Sequence, residues 1–151
     1  MPGNEPTYQL RKFTASYEAL GIVMEFVVSK MPFARSAAGR LLPALKHQLA
    51  HGHHICAFRG DTLVGYCGWL PITEQVGEQW LNQSGELVPA PPEARDEATA
   101  LTIVRVEETP ALYAMIEAVR KHTRPRLRVF YRRDYVDPAR PSRRRSIIFD
   151  E

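Results

Sequence analysis

Leu63-Val64-Gly65-Tyr66-Cys67-Gly68-Trp69-Leu70 is an apolar run broken only by glycine, and its reading decides the fold. It reads as a strand over about residues 63–69. The residues before it, Arg59-Gly60-Asp61-Thr62, have the composition of a hairpin turn, so the run is the second arm of a hairpin whose first arm spans about residues 53–58. Side chains alternate along a strand, so one face of this arm meets a core and the other is free to line a groove. Tyr66 and Trp69, one on each face, are the groove candidates, and ordinary sheet packing is the competing reading.

Upstream of the hairpin, Gly52 is placed to end a helix over about residues 36–51, with Leu42, Leu45 and Leu49 on one stripe. Pro43 lies inside that run and implies a kink or a late start. An earlier helix, about residues 16–29, carries Leu20, Val23, Met24, Val27 and Val28 at helical spacing, and Pro32 ends it. Residues 1–14, with Pro2, Gly3 and Pro6, read as a flexible lead-in to a single domain over 15–151.

Downstream, a short helix is expected near residues 73–82, then a proline-rich surface loop over 89–97. A strand over about 100–107 leads to a helix over 109–122, where Leu112, Met115, Ile116 and Val119 form a stripe and Pro110 suits the first turn. Two last strands, about 126–132 and 144–149, are separated by turns at Asp137-Pro138 and Pro141. This order describes an α/β (α+β) chain, a mixed and largely antiparallel sheet layered with helices.

A length of 151 residues suits one ordinary domain, and 44% apolar with 25% charged residues is near the globular average. Residues 1–13 hold no apolar stretch of signal-peptide length, and Glu25 interrupts the longest apolar run, so neither secretion nor a membrane span is expected. Cys56 and Cys67 are too few for a disulfide framework and read as reduced, small apolar residues of a cytoplasmic chain. Net charge is +3, yet nine arginines crowd into residues 124–145. Such a field suits an anionic partner, or a solvated strand edge guarded by charge; both readings stand. No reader motif accompanies it, so nucleic acid is not the expected partner.

Several pieces of the chain resemble, in joint order, the acyl-carrier-protein-dependent lysine acyltransferases that activate RTX hemolysins. They are Ser29-Lys30-Met31-Pro32-Phe33-Ala34-Arg35, Leu42-Pro43-Ala44, Tyr66-Cys67-Gly68-Trp69, Trp80-Leu81-Asn82, Leu87-Val88 and Ala111-Leu112-Tyr113. The resemblance runs from about Leu20 to Asp137 and implies a Gcn5-related N-acetyltransferase-like fold. It further implies transfer of a fatty acyl group from an acidic acyl carrier protein to an internal lysine of an RTX-type protein. Acyl carrier protein would then be the donor, with no bound cofactor.

Attack by a lysine amine needs a base to take its proton and a carboxylate to steady that base. By the resemblance, the histidine belongs at Ala34, beside Arg35, and the aspartate at Val104, beside Arg105. Neither residue present can serve, so the catalytic residues are unknown, and Arg35, Tyr66, Trp69 and Arg105 are the expected substrate contacts. Glu107 stands three residues past Val104 and falls on the opposite strand face; Glu108 keeps the face but lies roughly 13 Å further along. His47 and His51 are spaced for one helix face, but no carboxylate completes a set, so no metal is expected. Two classes follow: a divergent lysine acyltransferase, or a non-catalytic module of that fold that binds an acyl carrier protein, an acyl ligand or a secreted protein. Pairing with a second copy is left open.

Overall fold

The computed structural model describes residues 7–123, 127–133 and 139–148. Its elements are β1 (Gln9–Arg11), α1 (Tyr17–Val28), α2 (Ala38–His51), β2 (His54–Arg59), β3 (Thr62–Ile72), α3 (Glu74–Leu81), β4 (Ala98–Val106), α4 (Thr109–His122), β5 (Arg128–Arg133) and β6 (Arg143–Ile148). Single 3₁₀ turns occupy Phe33–Arg35 and Pro92–Ala94. The strands form one sheet in the order β1-β2-β3-β4-β5-β6. β1–β2, β2–β3 and β5–β6 run antiparallel and β4–β5 parallel, which is the mixed, largely antiparallel sheet the sequence implies. The turn at Asp137-Pro138 lies outside the described residues.

The chain divides into two compact units. Residues 1–68 with 103–119 make the first, and residues 69–102 with 120–151 the second.

In the first unit, α1 begins where the Ser16 hydroxyl accepts the Ala19 N–H at 2.9 Å, with Glu18 in the first turn to complement the helix dipole. It buries Ala19, Leu20, Val23 and Val27 on one stripe. α2 starts at Ala38, keeps Pro43 in its interior, and ends at Gly52 in the left-handed region, φ 67°, with the Gly52 N–H returned to the Gln48 carbonyl. Its buried stripe is Leu41, Leu45, Gln48 and Leu49. This corrects the expected stripe: Leu42 is 38% exposed and Leu41 only 5%. One residue is a rotation of about 100° on a helix, so a small error of phase moves a leucine from core to surface.

The hairpin turns through Gly60 and Asp61, with Arg59 paired to Thr62 and Gly60 at φ 61°. Cys56 faces Tyr66 across the ladder and Ile55 faces Cys67. Tyr66 and Cys56 join Ile103 and the apolar faces of α1 and α2 in one core. On the opposite sheet face, Gly65 lies against Met115 of α4, where a Cβ would come within 2.8 Å of the methionine methyl. β1 falls in the expected lead-in. Its three residues carry no periodic signal, and pairing with Cys56, Ala57 and Phe58 of β2 makes them a strand.

In the second unit, Ile72, Ala98, Ala100 and Phe130 form the core, with Leu70, Trp80 and Leu87 packed on it. α3 is capped by Thr73, whose hydroxyl accepts the Val76 N–H at 3.1 Å. Its Gly77 passes directly under the Phe130 ring, which leaves no room for a side chain. The proline-rich loop is pinned: the Ala90 N–H donates to the Pro71 carbonyl at 2.9 Å, and the Glu97 carboxylate accepts the Glu74 N–H at 3.1 Å.

Candidate functional site

The corner after α1 and the end of β4, both in the first unit, are joined by a set of charged contacts. Arg105 is 5% exposed and follows Ile103, so by strand alternation it turns toward the helices that cover Ile103. Its guanidinium lies 4.7 Å over the Phe26 ring. One nitrogen donates to the Val106 carbonyl at 2.8 Å; the other donates to Ser29 Oγ at 2.9 Å and to Glu107 Oε1 at 2.6 Å. Ser29 itself donates to the Phe26 carbonyl at 2.6 Å, so the arginine sits at the negative end of α1.

Glu107 uses its second oxygen to accept from Lys30 at 2.8 Å. Lys30, then Arg105, hold its carboxyl below the usual carboxylate range. A carboxylate so stabilised is a poor proton acceptor at neutral pH. Glu108 is committed as well: it accepts the Tyr8 hydroxyl at 2.6 Å and pairs with Arg59 at 2.7 Å. That bond, before any other influence, raises the Tyr8 pKa. Glu107 and Glu108 immediately precede α4, so carboxylates stand where a helix N-terminus would otherwise attract a phosphate.

Ala34 lies in the turn Phe33–Arg35, with its N–H returned to the Lys30 carbonyl at 3.0 Å; it and Arg35 are exposed. Val104 is half-buried and, by alternation with Ile103 and Arg105, directed to the other sheet face. Of the expected substrate contacts, Arg35 and Arg105 both lie in the first unit, Arg35 exposed and Arg105 buried. Trp69 is half-buried at the start of the second unit.

Tyr66 is fully buried, and its hydroxyl donates to Gln48 Oε1 at 2.7 Å. The ring stacks on His54 at 5.9 Å between centroids, and burial raises the hydroxyl pKa far above its ordinary value. Tyr66 thus packs against the helix layer. His54 is also fully buried. Its Nε2 accepts the Phe13 N–H at 2.9 Å, which leaves the proton on Nδ1 to donate to the Gln48 carbonyl at 3.1 Å. Burial holds this imidazole below its usual pKa, so it stays neutral. Nothing in the sequence marks Gln48, a polar residue in an apolar stripe, as the residue that joins helix, strand and histidine.

Burial pushes both thiols up to about 12, which makes them inert as nucleophiles. Cys56 and Cys67 also belong to opposite sheet faces, so they cannot bridge. His47 and His51 lie 4.1 Å apart between ring centroids, and His53 lies 5.7 Å from His51. Among the described residues no group of three or more His, Cys, Asp or Glu side chains is arranged to hold a metal.

The arginines of the second unit form a separate feature. Arg128 pairs with Glu78, donates to Ser146 Oγ at 3.0 Å and lies 4.6 Å over the Phe130 ring. Arg144 donates to the Trp80 carbonyl at 2.6 Å and stacks 4.8 Å over its ring. The β5–β6 register sets Arg132 opposite Arg144 and Arg133 opposite Arg143. Arg124 and Arg126 lie outside the described residues.

No protein-family model matches the chain, and no curated protein does. Solved structures do. The chain is similar to a mosquito arylalkylamine N-acetyltransferase-like 5b, with a TM-score of 0.50 and 12% identity over 86% of this chain and 78% of that one. It is similar also to the loading GNATL domain of CurA from Lyngbya majuscula, with a TM-score of 0.53 and 12% identity over 89% of this chain and 71% of that one. At 12% identity the likeness is one of fold. The chain has a Gcn5-related N-acetyltransferase-like, and so acyltransferase-like, fold.

Proposed function

We propose that residues 15–151 are a degenerate, cytoplasmic acyltransferase domain of the toxin-activating kind, which docks an acyl-loaded, acidic carrier protein without turning it over. One observation carries this reading: the two carboxylates just past β4 are already committed, Glu107 to Lys30 and Arg105, Glu108 to Tyr8 and Arg59. Ala34 itself offers no base. Amide formation from a lysine requires proton removal, and His54, with both nitrogens engaged in the core, has no free lone pair to supply it. The carboxylates ahead of α4 disfavour a nucleotide diphosphate there, which suits a protein-borne acyl group better than one borne by a nucleotide.

The test uses purified chain with carrier protein loaded with a radiolabelled fatty acyl group and an RTX-type protein as acceptor. Calorimetric binding of the loaded carrier, with no label on any lysine, supports the module. Label transfer to lysine overturns the non-catalytic reading, and absence of binding overturns the carrier.

A further inference from the structure

β6 closes one end of the sheet order, and among the described residues its outer backbone edge has no partner strand. An open edge of this kind is a template for another strand. What it carries is unusual: Arg143, Arg144 and Arg145, then Ser146, Ile147 and Ile148. Register sorts these by face. Arg144, Ser146 and Ile148 share a face with Arg128 and Phe130, and Arg144 is held there over Trp80. Arg143, Arg145 and Ile147 share the other face with Arg133, Tyr131 and Val129.

Two costs are built into this edge. Directly opposed like charges destabilise a ladder, and here Arg133 faces Arg143 while Arg132 faces Arg144. Charge on an edge strand commonly protects it from pairing, yet Ile147 and Ile148 are 43% and 49% exposed and undo that protection. An edge that repels basic segments but keeps two apolar side chains in water is selective rather than blunted.

We propose that β6 receives an extended acidic segment of a partner protein as an added strand. Main-chain bonds would supply affinity, and alternate side chains the specificity. The register states the chemistry: two carboxylates spaced i, i+2 meet Arg143 and Arg145, and an apolar residue two places further on covers Ile147. This surface is independent of acyl chemistry, so it stands or falls apart from the proposed function.

The probes are fluorescein-labelled hexapeptides, Glu-Thr-Glu-Thr-Val-Thr and its reversed order, titrated with the whole chain and followed by anisotropy. One of the two orders is expected to bind. Arg143→Gln with Arg145→Gln should weaken it about threefold to tenfold, with the far-ultraviolet circular dichroism unchanged. Successive amides of an added strand point to opposite sides, so of two twins N-methylated on odd or on even amides, one should lose binding and the other keep it. Equal binding by both twins, no binding by either order, tighter binding of an oligothymidine probe, or a dimer abolished by the same arginine substitutions would each overturn the proposal.

Discussion

Gln48 lies so close to Gly68 that a β-carbon on the glycine would overlap its Oε1, the same oxygen that accepts the buried Tyr66 hydroxyl at 2.7 Å. The glycine in the Tyr66-Cys67-Gly68-Trp69 stretch is therefore the space that lets a helix side chain reach a strand hydroxyl. Gly68→Ala should drive Gln48 out and leave the tyrosine oxygen unsatisfied, a loss of about 1–3 kcal/mol. Gly21→Ala is the contrast: the same methyl meets open space in the middle of α1 and should stabilise by about 0.5–1 kcal/mol. Urea unfolding of both variants checks the pair, and destabilisation of equal size would remove Gln48 from the explanation.

Acid should loosen the attachment of the N-terminal segment. His54 is neutral in the fold, with a pKa below its unfolded value of about 6.5, so the unfolded chain binds the extra proton. The stability it contributes is present above pH 6.5 and is lost as pH falls through the folded value. His54→Leu should be less stable than the parent at pH 7.5, because the Phe13 N–H loses its acceptor, yet should show a shallower decline between pH 7 and 5. Thermal denaturation across that range decides it, and parallel declines would acquit His54.

Much of this is legible in the sequence. Periodicity placed α1, the hairpin, β4 and α4 within a few residues, because each buries a face large enough to write its spacing into the chain. Features that depend on partners distant in sequence left no such trace. β1 is a strand because β2 offers it an edge, and the three residues alone carry no pattern. Arg105 reaches Ser29 across 76 residues, so its burial cannot be read from its neighbours. The engagement of Glu107 with Lys30 and Arg105 leaves no mark in the sequence either, since Lys30 lies 77 residues away.

Both cysteines should be silent in the native protein. Each is buried with its thiol near pKa 12, and a thiol at that value is almost wholly protonated at pH 8. Iodoacetamide at pH 8 should leave the folded chain unmodified by intact mass and add two groups once urea unfolds it. Rapid native labelling of Cys67 would show that its thiol is accessible and reactive in the fold, against this expectation.

Arg105 is expected to be irreplaceable by lysine. Its planar fork donates at once to the Val106 carbonyl, Ser29 Oγ and Glu107, and its face covers the Phe26 ring. An ammonium on a flexible stem has neither that spread of donors nor the stacking plane. Arg105→Lys should therefore lose about 1–3 kcal/mol, close to the loss for Arg105→Met, because both leave Ser29 and the end of α1 without a cation at the right distance. In both variants Glu107 keeps Lys30, so the change should be felt at the α1 corner more than at α4. Amide hydrogen exchange separates the two: faster exchange over residues 26–35 with α4 unchanged is expected. Full stability in Arg105→Lys would mean that charge alone, and not the fork, ties β4 to α1.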